Sequence, residues 1–129
     1  MDSLHRISKD GYLSDAHPLL TVELRSGWGM AHQSTCRVYR PDSVTALQHF
    51  LKDDSVKNVP LLCWGNGRSY GDAALNQNGI TLDLSNWTRV CSWDPSSGLV
   101  TVEPGVTLSQ LWKHCLSDGY WPPVVSGTQ

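Results

Sequence analysis

The chain has 129 residues, enough for one domain with its own core and too few for two substantial ones. Ten Lys and Arg against twelve Asp and Glu leave a net charge of −2 with no basic run or stripe, so the electrostatic footprint of a nucleic-acid binder is missing. No window approaches the roughly 18 consecutive apolar residues of a membrane span, and residues 1–15 mix charged and polar groups where a signal peptide has an apolar core, which predicts a cytoplasmic chain.

Residues 1–35 carry no sustained period and are predicted to form an irregular N-terminal arm. Within it, Leu19, Leu20, Val22 and Leu24 contribute one short element, and Gly27-Trp28-Gly29 presents an aromatic in a turn. From Cys36 to Arg40 the alternation is that of a strand, and Pro41-Asp42-Ser43 supplies a stop followed by a helix N-cap. Val44, Leu47, Phe50 and Leu51 form one helical stripe ending near Asp53-Asp54, and the apolar run from Val59 to Cys63 is a buried strand. Strand, helix and strand make a βαβ unit, with a loop at the C-terminal end of its last strand, where open α/β sheets bind ligands.

That loop reads Trp64-Gly65-Asn66-Gly67-Arg68-Ser69-Tyr70-Gly71-Asp72. Its three glycines reach positive φ without a Cβ penalty and allow close main-chain approach, and successive N–H groups in such a turn form a concave nest for phosphate. A dinucleotide diphosphate is the natural ligand. The Rossmann fingerprint does not fit, since its third glycine falls on Tyr70, and no Lys follows a second glycine as a P-loop requires. From spacing alone, an ordinary glycine-rich turn is an equal reading, and Arg68 and Asp72 could simply pair at the surface.

Beyond the loop, Ile80, Leu82 and Leu84 alternate with Thr81 and Asp83, the pattern of a half-buried strand. Val90 to Trp93 and Leu99 to Val102 flank Asp94-Pro95-Ser96-Ser97-Gly98 and predict a hairpin. Thr107 with Gln110 is a capping-box pattern, and Leu108, Leu111, Trp112, Cys115 and Leu116 make an amphipathic face running to Gly119, a C′ residue.

Cys36, Cys63, Cys91 and Cys115 lie far apart without a C-x-x-C pair, which predicts free, mostly buried thiols and neither a zinc site nor a redox dithiol. His114 beside Cys115 is no nucleophilic pair, because helix neighbours one apart do not face each other. His5, His17, His32 and His49 share no spacing and read as incidental. Trp64 and Trp112 belong to the core by their positions, whereas Trp28 and Trp121, flanked by glycine or proline, are candidates to line a cleft.

Four ordered blocks then carry a resemblance: W-G-N-G-R-S-Y-G-D-A-A-L-N, G-I-T-L-D-L-S-N-W, V-T-V-E-P-G-V-T-L-S-Q-L-W and G-Y-W-P-P-V-V-S-G-T. Together with the earlier S-G-W-G and V-Y-R-P, they resemble the N-terminal FAD-binding half of the vanillyl-alcohol oxidase and p-cresol methylhydroxylase superfamily. Its decaprenylphosphoryl-ribose oxidase-like branch is the most similar. The resemblance implies an α+β fold, a PCMH-type FAD-binding domain with a first βαβ subdomain and the beginning of a second mixed or antiparallel sheet subdomain. Residues 36–129 would form this partial domain, with its second half and the substrate domain absent.

The resemblance also implies the site. Gly65, Asn66, Gly67, Arg68, Ser69, Tyr70, Gly71, Asp72, Ala73 and Ala74 would wrap the FAD diphosphate and part of the ring system, joined by Asn76 and, from a second loop, by Gly127 and Thr128. Members with covalent flavin commonly carry His where this chain has Arg68, so noncovalent FAD is expected, with Arg68 supplying charge-assisted hydrogen bonds. Tyr70 matches an active-site tyrosine of the resembling branch. The activity implied is oxidation of an alcohol or sugar-like hydroxyl of a small molecule by hydride transfer to FAD, in association with the missing C-terminal portion. The alternative is a noncatalytic fragment or binding module that keeps the fold without turnover.

Overall fold

A computed structural model describes residues 17–125. Two compact units form, one ending at Asp83 and one starting at Leu84.

The first unit is built on a four-stranded sheet. Its strands are β1 (Thr21–Ser26), β2 (Gln33–Tyr39), β3 (Leu61–Trp64) and β4 (Ile80–Asp83), in the order β1-β2-β4-β3. β2 and β3 are joined by helix α1 (Val44–Lys52) and both run parallel to β4. The βαβ unit read from the sequence is present, but its two strands are not neighbours. The crossover skips one position, which β4 fills with Val38 opposite Thr81 on one side and Leu62 opposite Thr81 on the other.

This central place explains a departure from expectation. Strand 80–84 reads as half-buried, yet all four residues of β4 are buried, Thr81 and Asp83 included. Pleating sends Ile80 and Leu82 to one face and Thr81 and Asp83 to the other. On the first face Ile80 and Leu82 join Tyr39, Phe50, Val56 and Val59 in the core. α1 starts where Ser43 accepts the Ala46 N–H at 3.1 Å, and it delivers Phe50 onto the Tyr39 ring, with centroids 3.9 Å apart. Burial of a side chain of that size contributes about 2–3 kcal/mol. His17, read as incidental, is buried with its ring edge-on to Phe50 at 5.7 Å.

The described part of the N-terminal arm is not irregular. β1 pairs antiparallel with β2 from Thr21 opposite Val38 to Ser26 opposite Gln33, so β2 starts at Gln33 and the expected boundary at residue 36 falls inside a strand. Hydrophobic alternation misleads here, because Val22 and Leu24 are exposed while Arg25 is buried. The inward face of β1 is the charged one.

The second unit contains a hairpin of β5 (Val90–Asp94) and β6 (Leu99–Val102), as predicted, with a bulge between Val90 and Ser92. Asp94 stabilises its turn by accepting the Ser96 N–H at 3.0 Å, and its carboxyl is held below the usual range first by the Ser96 hydroxyl, then by the Ser97 hydroxyl and that N–H. Helix α2 (Leu108–Cys115) starts with the expected capping box. Thr107 accepts from Gln110 N at 3.1 Å, and Gln110 Oε1 accepts from Thr107 N at 2.8 Å. A 3-10 turn, Leu116–Asp118, follows and ends at left-handed Gly119. Trp112 lies 5.3 Å from Trp121, and Trp93 donates to Asp118 at 2.7 Å.

All four thiols are free, but only Cys36 and Cys115 are buried; Cys63 and Cys91 are exposed, Cys63 because it sits on edge strand β3. Among the described residues no helix is long and apolar enough to cross a membrane.

Candidate functional site

Asp83 and Trp64 end the parallel strands β4 and β3 opposite one another. Trp64 shares its face with Arg25, whose guanidinium lies 4.6 Å from the indole centroid and donates to the Asp83 carboxylate. Arg40 reaches the same carboxylate at 3.1 Å and donates to Glu23, which also accepts from Arg25 at 3.0 Å. The Arg40 hydrogen bond, helped by Thr21 and Arg25, draws the Glu23 carboxyl down to about 2 against the opposing effect of burial. The Arg40 guanidinium is held above its usual value, first by Glu23. This network fixes the floor from which the glycine loop departs.

The loop folds back over Trp64. Gly67 has φ 64°, and a Cβ there would stand 2.5 Å from Cζ2 of the indole, so glycine is required both by conformation and by contact. Farther on, the chain meets the turn between β1 and β2. Trp28 N donates to Ser69 O at 3.2 Å, and Trp28 and Tyr70 form an isolated parallel bridge. Gly27 lies so close that a Cβ on it would come within 1.8 Å of the Gly71 carbonyl oxygen. Two glycine turns far apart in sequence are thus zipped together.

Between them opens a cleft of about 480 Å³ lined by Ser26, the Gly27-Trp28-Gly29-Met30 turn, Trp64, Asn66, Gly67 and Arg68. The Arg68 guanidinium lies 4.9 Å from the Trp28 ring centroid. Among the described residues no ion pair joins it to Asp72 or to any other carboxylate. Nor does any backbone N–H from Asn66 to Ser69 donate a hydrogen bond within the described chain. Four unengaged amides beside an unneutralised guanidinium form a donor set suited to an anion, as a diphosphate requires.

The sequence-derived residues are not all in one place. Gly65 to Gly71 form the loop proper, and the Tyr70 side chain is 77% exposed. Asp72, exposed, accepts Leu75 N at 2.8 Å through its carbonyl; Ala73 is exposed and Ala74 buried. Asn76 lies apart. Its carboxamide donates to Pro60 O and Ile80 O, each at 3.1 Å, clamping the starts of β3 and β4. These are the strand ends opposite the one from which the loop leaves. Gly127 and Thr128 lie outside the described residues. Gly27 is the residue that sequence reasoning missed; the repeated small residues around Trp28 were its signal.

Comparison with known proteins finds similarity at the level of the domain. The FAD binding domain family matches residues 36–129. Over 112 residues the chain is 46% identical to decaprenylphosphoryl-beta-D-ribose oxidase from Mycolicibacterium smegmatis, an alignment covering 84% of this chain and 24% of that protein. The chain therefore spans about a quarter of the length of that relative.

Proposed function

The chain belongs to the FAD binding domain family, whose cofactor is FAD, and from that premise we propose that it forms the flavin-holding portion of an oxidoreductase acting on an alcohol or sugar-like hydroxyl. The observation that carries this is the run of unengaged N–H groups from Asn66 to Ser69 in a glycine-bent loop, of which Asn66, Gly67 and Arg68 line the cleft. These amides bind the diphosphate, and Arg68 adds charge.

FAD, when bound, supplies the hydride acceptor. The protein's own part is to hold and orient. Arg68 stands where covalent relatives carry His, and a guanidinium forms no histidyl bond, so the cofactor is held noncovalently. Tyr70, exposed and bridged through its main chain to Trp28, is the residue this reading assigns to the substrate. Gly127 and Thr128 are part of this reading by the resemblance alone, Asn76 serves the strand starts and not the cofactor, and association with the remaining portion of a longer protein supplies substrate recognition. The relative acts on a decaprenylphosphoryl ribose, as its name states, which supports a sugar-like hydroxyl as the substrate class. A cytoplasmic location is part of the same proposal.

The exposure of Tyr70, 77%, favours a second reading, in which the unit binds the dinucleotide without turnover. Titration calorimetry of the 129-residue chain with FAD and ADP tests the first premise. Binding of both with similar affinity is expected; no heat with either ligand contradicts it. An absorbance trace of the chain joined to the remaining portion, with a sugar alcohol present, then separates the readings, since flavin bleaching marks turnover and an unchanged spectrum marks binding alone.

A further inference from the structure

The first unit contains two arginine–tryptophan stacks, and they differ in one respect. Arg25 over Trp64 is 9% exposed and its charge is neutralised by Asp83 and Glu23. Arg68 over Trp28 faces the cleft with no carboxylate partner among the described residues. An aromatic face can orient a guanidinium without neutralising it, because the attraction comes from the ring quadrupole and leaves the N–H edge free for an anion. A carboxylate in the same place would orient it and cancel its charge.

The geometry points to Trp28 as a positioning residue for Arg68: the β1–β2 turn is a second wall of the cofactor cleft, and its indole face holds the Arg68 guanidinium toward the bound anion. This rests on the flavin-site reading above. Three features support it independently of any ligand. Trp28 N is tied to Ser69 O at 3.2 Å, so the main chain that carries the indole is fixed to the residue next to Arg68. Gly27 leaves only the room its missing Cβ provides against Gly71 O, so the turn has one seating. Trp28 is 38% exposed, which leaves the stack at the cleft wall and not in the core.

A double-mutant cycle on FAD affinity of the 129-residue chain tests the assignment, using flavin fluorescence titration at low salt. Arg68→Ala is expected to weaken binding about tenfold and Trp28→Leu about threefold to fivefold. Together they should weaken it no more than Arg68→Ala alone. Trp28→Tyr and Trp28→Phe should restore affinity in the order of ring attraction, Trp over Tyr over Phe. A purely structural role would instead lower the melting temperature and weaken binding equally with Arg68 absent. Equal Trp28→Leu effects in both backgrounds, or aromatic variants that rescue nothing, would overturn the assignment while leaving the flavin site standing. If the wild-type chain takes up no FAD, the underlying reading falls and this assignment with it. Should Trp28→Leu fail to fold, the Tyr and Phe variants alone carry the comparison, and a flat series counts against it.

Discussion

Arg25 and Asp83 join the two sides of a sheet that hydrogen bonding links only through an intermediate strand. Arg25 is on β1, at one edge, and Asp83 ends β4, with β2 between them. Both are nearly buried, at 9% and 6% exposure. A buried ion pair is not of itself a large stabiliser, but removing one partner leaves a charge without compensation. Arg25→Met should therefore destabilise the chain by about 3 kcal/mol, the low end of the range because Arg40 still reaches Asp83. Asp83→Ala takes a partner from two guanidinium groups at once, leaving both with Glu23 alone, and should cost about 4 kcal/mol. Urea denaturation of both variants checks the order; equal and small effects would show that solvent already screens the pair.

Glu23 gives the same network a pH dependence. Its carboxyl lies near 2 when folded and near 4.5 when unfolded, so the folded state favours the charged form. The contribution is complete above about pH 4.5 and is lost as pH falls through about 2. Because the side chain is 29% exposed, solvent screening brings it to roughly 1–2 kcal/mol. Melting temperatures between pH 6 and 2 should fall more steeply for wild type than for Glu23→Gln; parallel curves would remove Glu23 from the account.

The helices and the hairpin of this fold were legible in the sequence because their signals are local. Ser43, the Thr107–Gln110 box and the turn from Asp94 to Gly98 each fix an element by hydrogen bonds a few residues long. The sheet was less legible. β1 hides charged residues and exposes apolar ones, an inversion that only makes sense once Arg40 and Asp83 are known to meet Glu23 and Arg25. The insertion of β4 between β2 and β3 leaves no local trace either, and it accounts for Thr81 being fully buried. At the site, the loop was visible from its glycines, whereas its partner turn at Trp28 depends on a contact over about forty residues of chain.

Gly27 and Gly29 separate close packing from conformation. Gly27→Ala would drive a Cβ into the Gly71 carbonyl and should part the two turns, lowering FAD affinity at least tenfold. At Gly29 the space is open but φ is 88°, so Gly29→Ala should cost about 1–2 kcal/mol of stability and leave affinity nearly intact. Paired melts and FAD titrations check this; equal loss of affinity in both would mean that the turn acts through backbone strain.

Asn76 offers a test of which sequence-derived contacts belong to the cofactor. Its carboxamide already donates to Pro60 O and Ile80 O. Asn76→Ala should destabilise by about 1–3 kcal/mol with FAD affinity changed less than twofold. A tenfold loss of affinity at unchanged stability would instead assign Asn76 to the site.

The amides from Asn66 to Ser69 report most directly on the central claim. In nitrogen–proton spectra of the labelled chain, saturating FAD should shift these four resonances, and ADP should reproduce the shifts, while those of the β5–β6 hairpin stay in place. If the four resonances stay put while FAD is bound, or if riboflavin moves them as FAD does, the loop does not hold the diphosphate and the account is wrong.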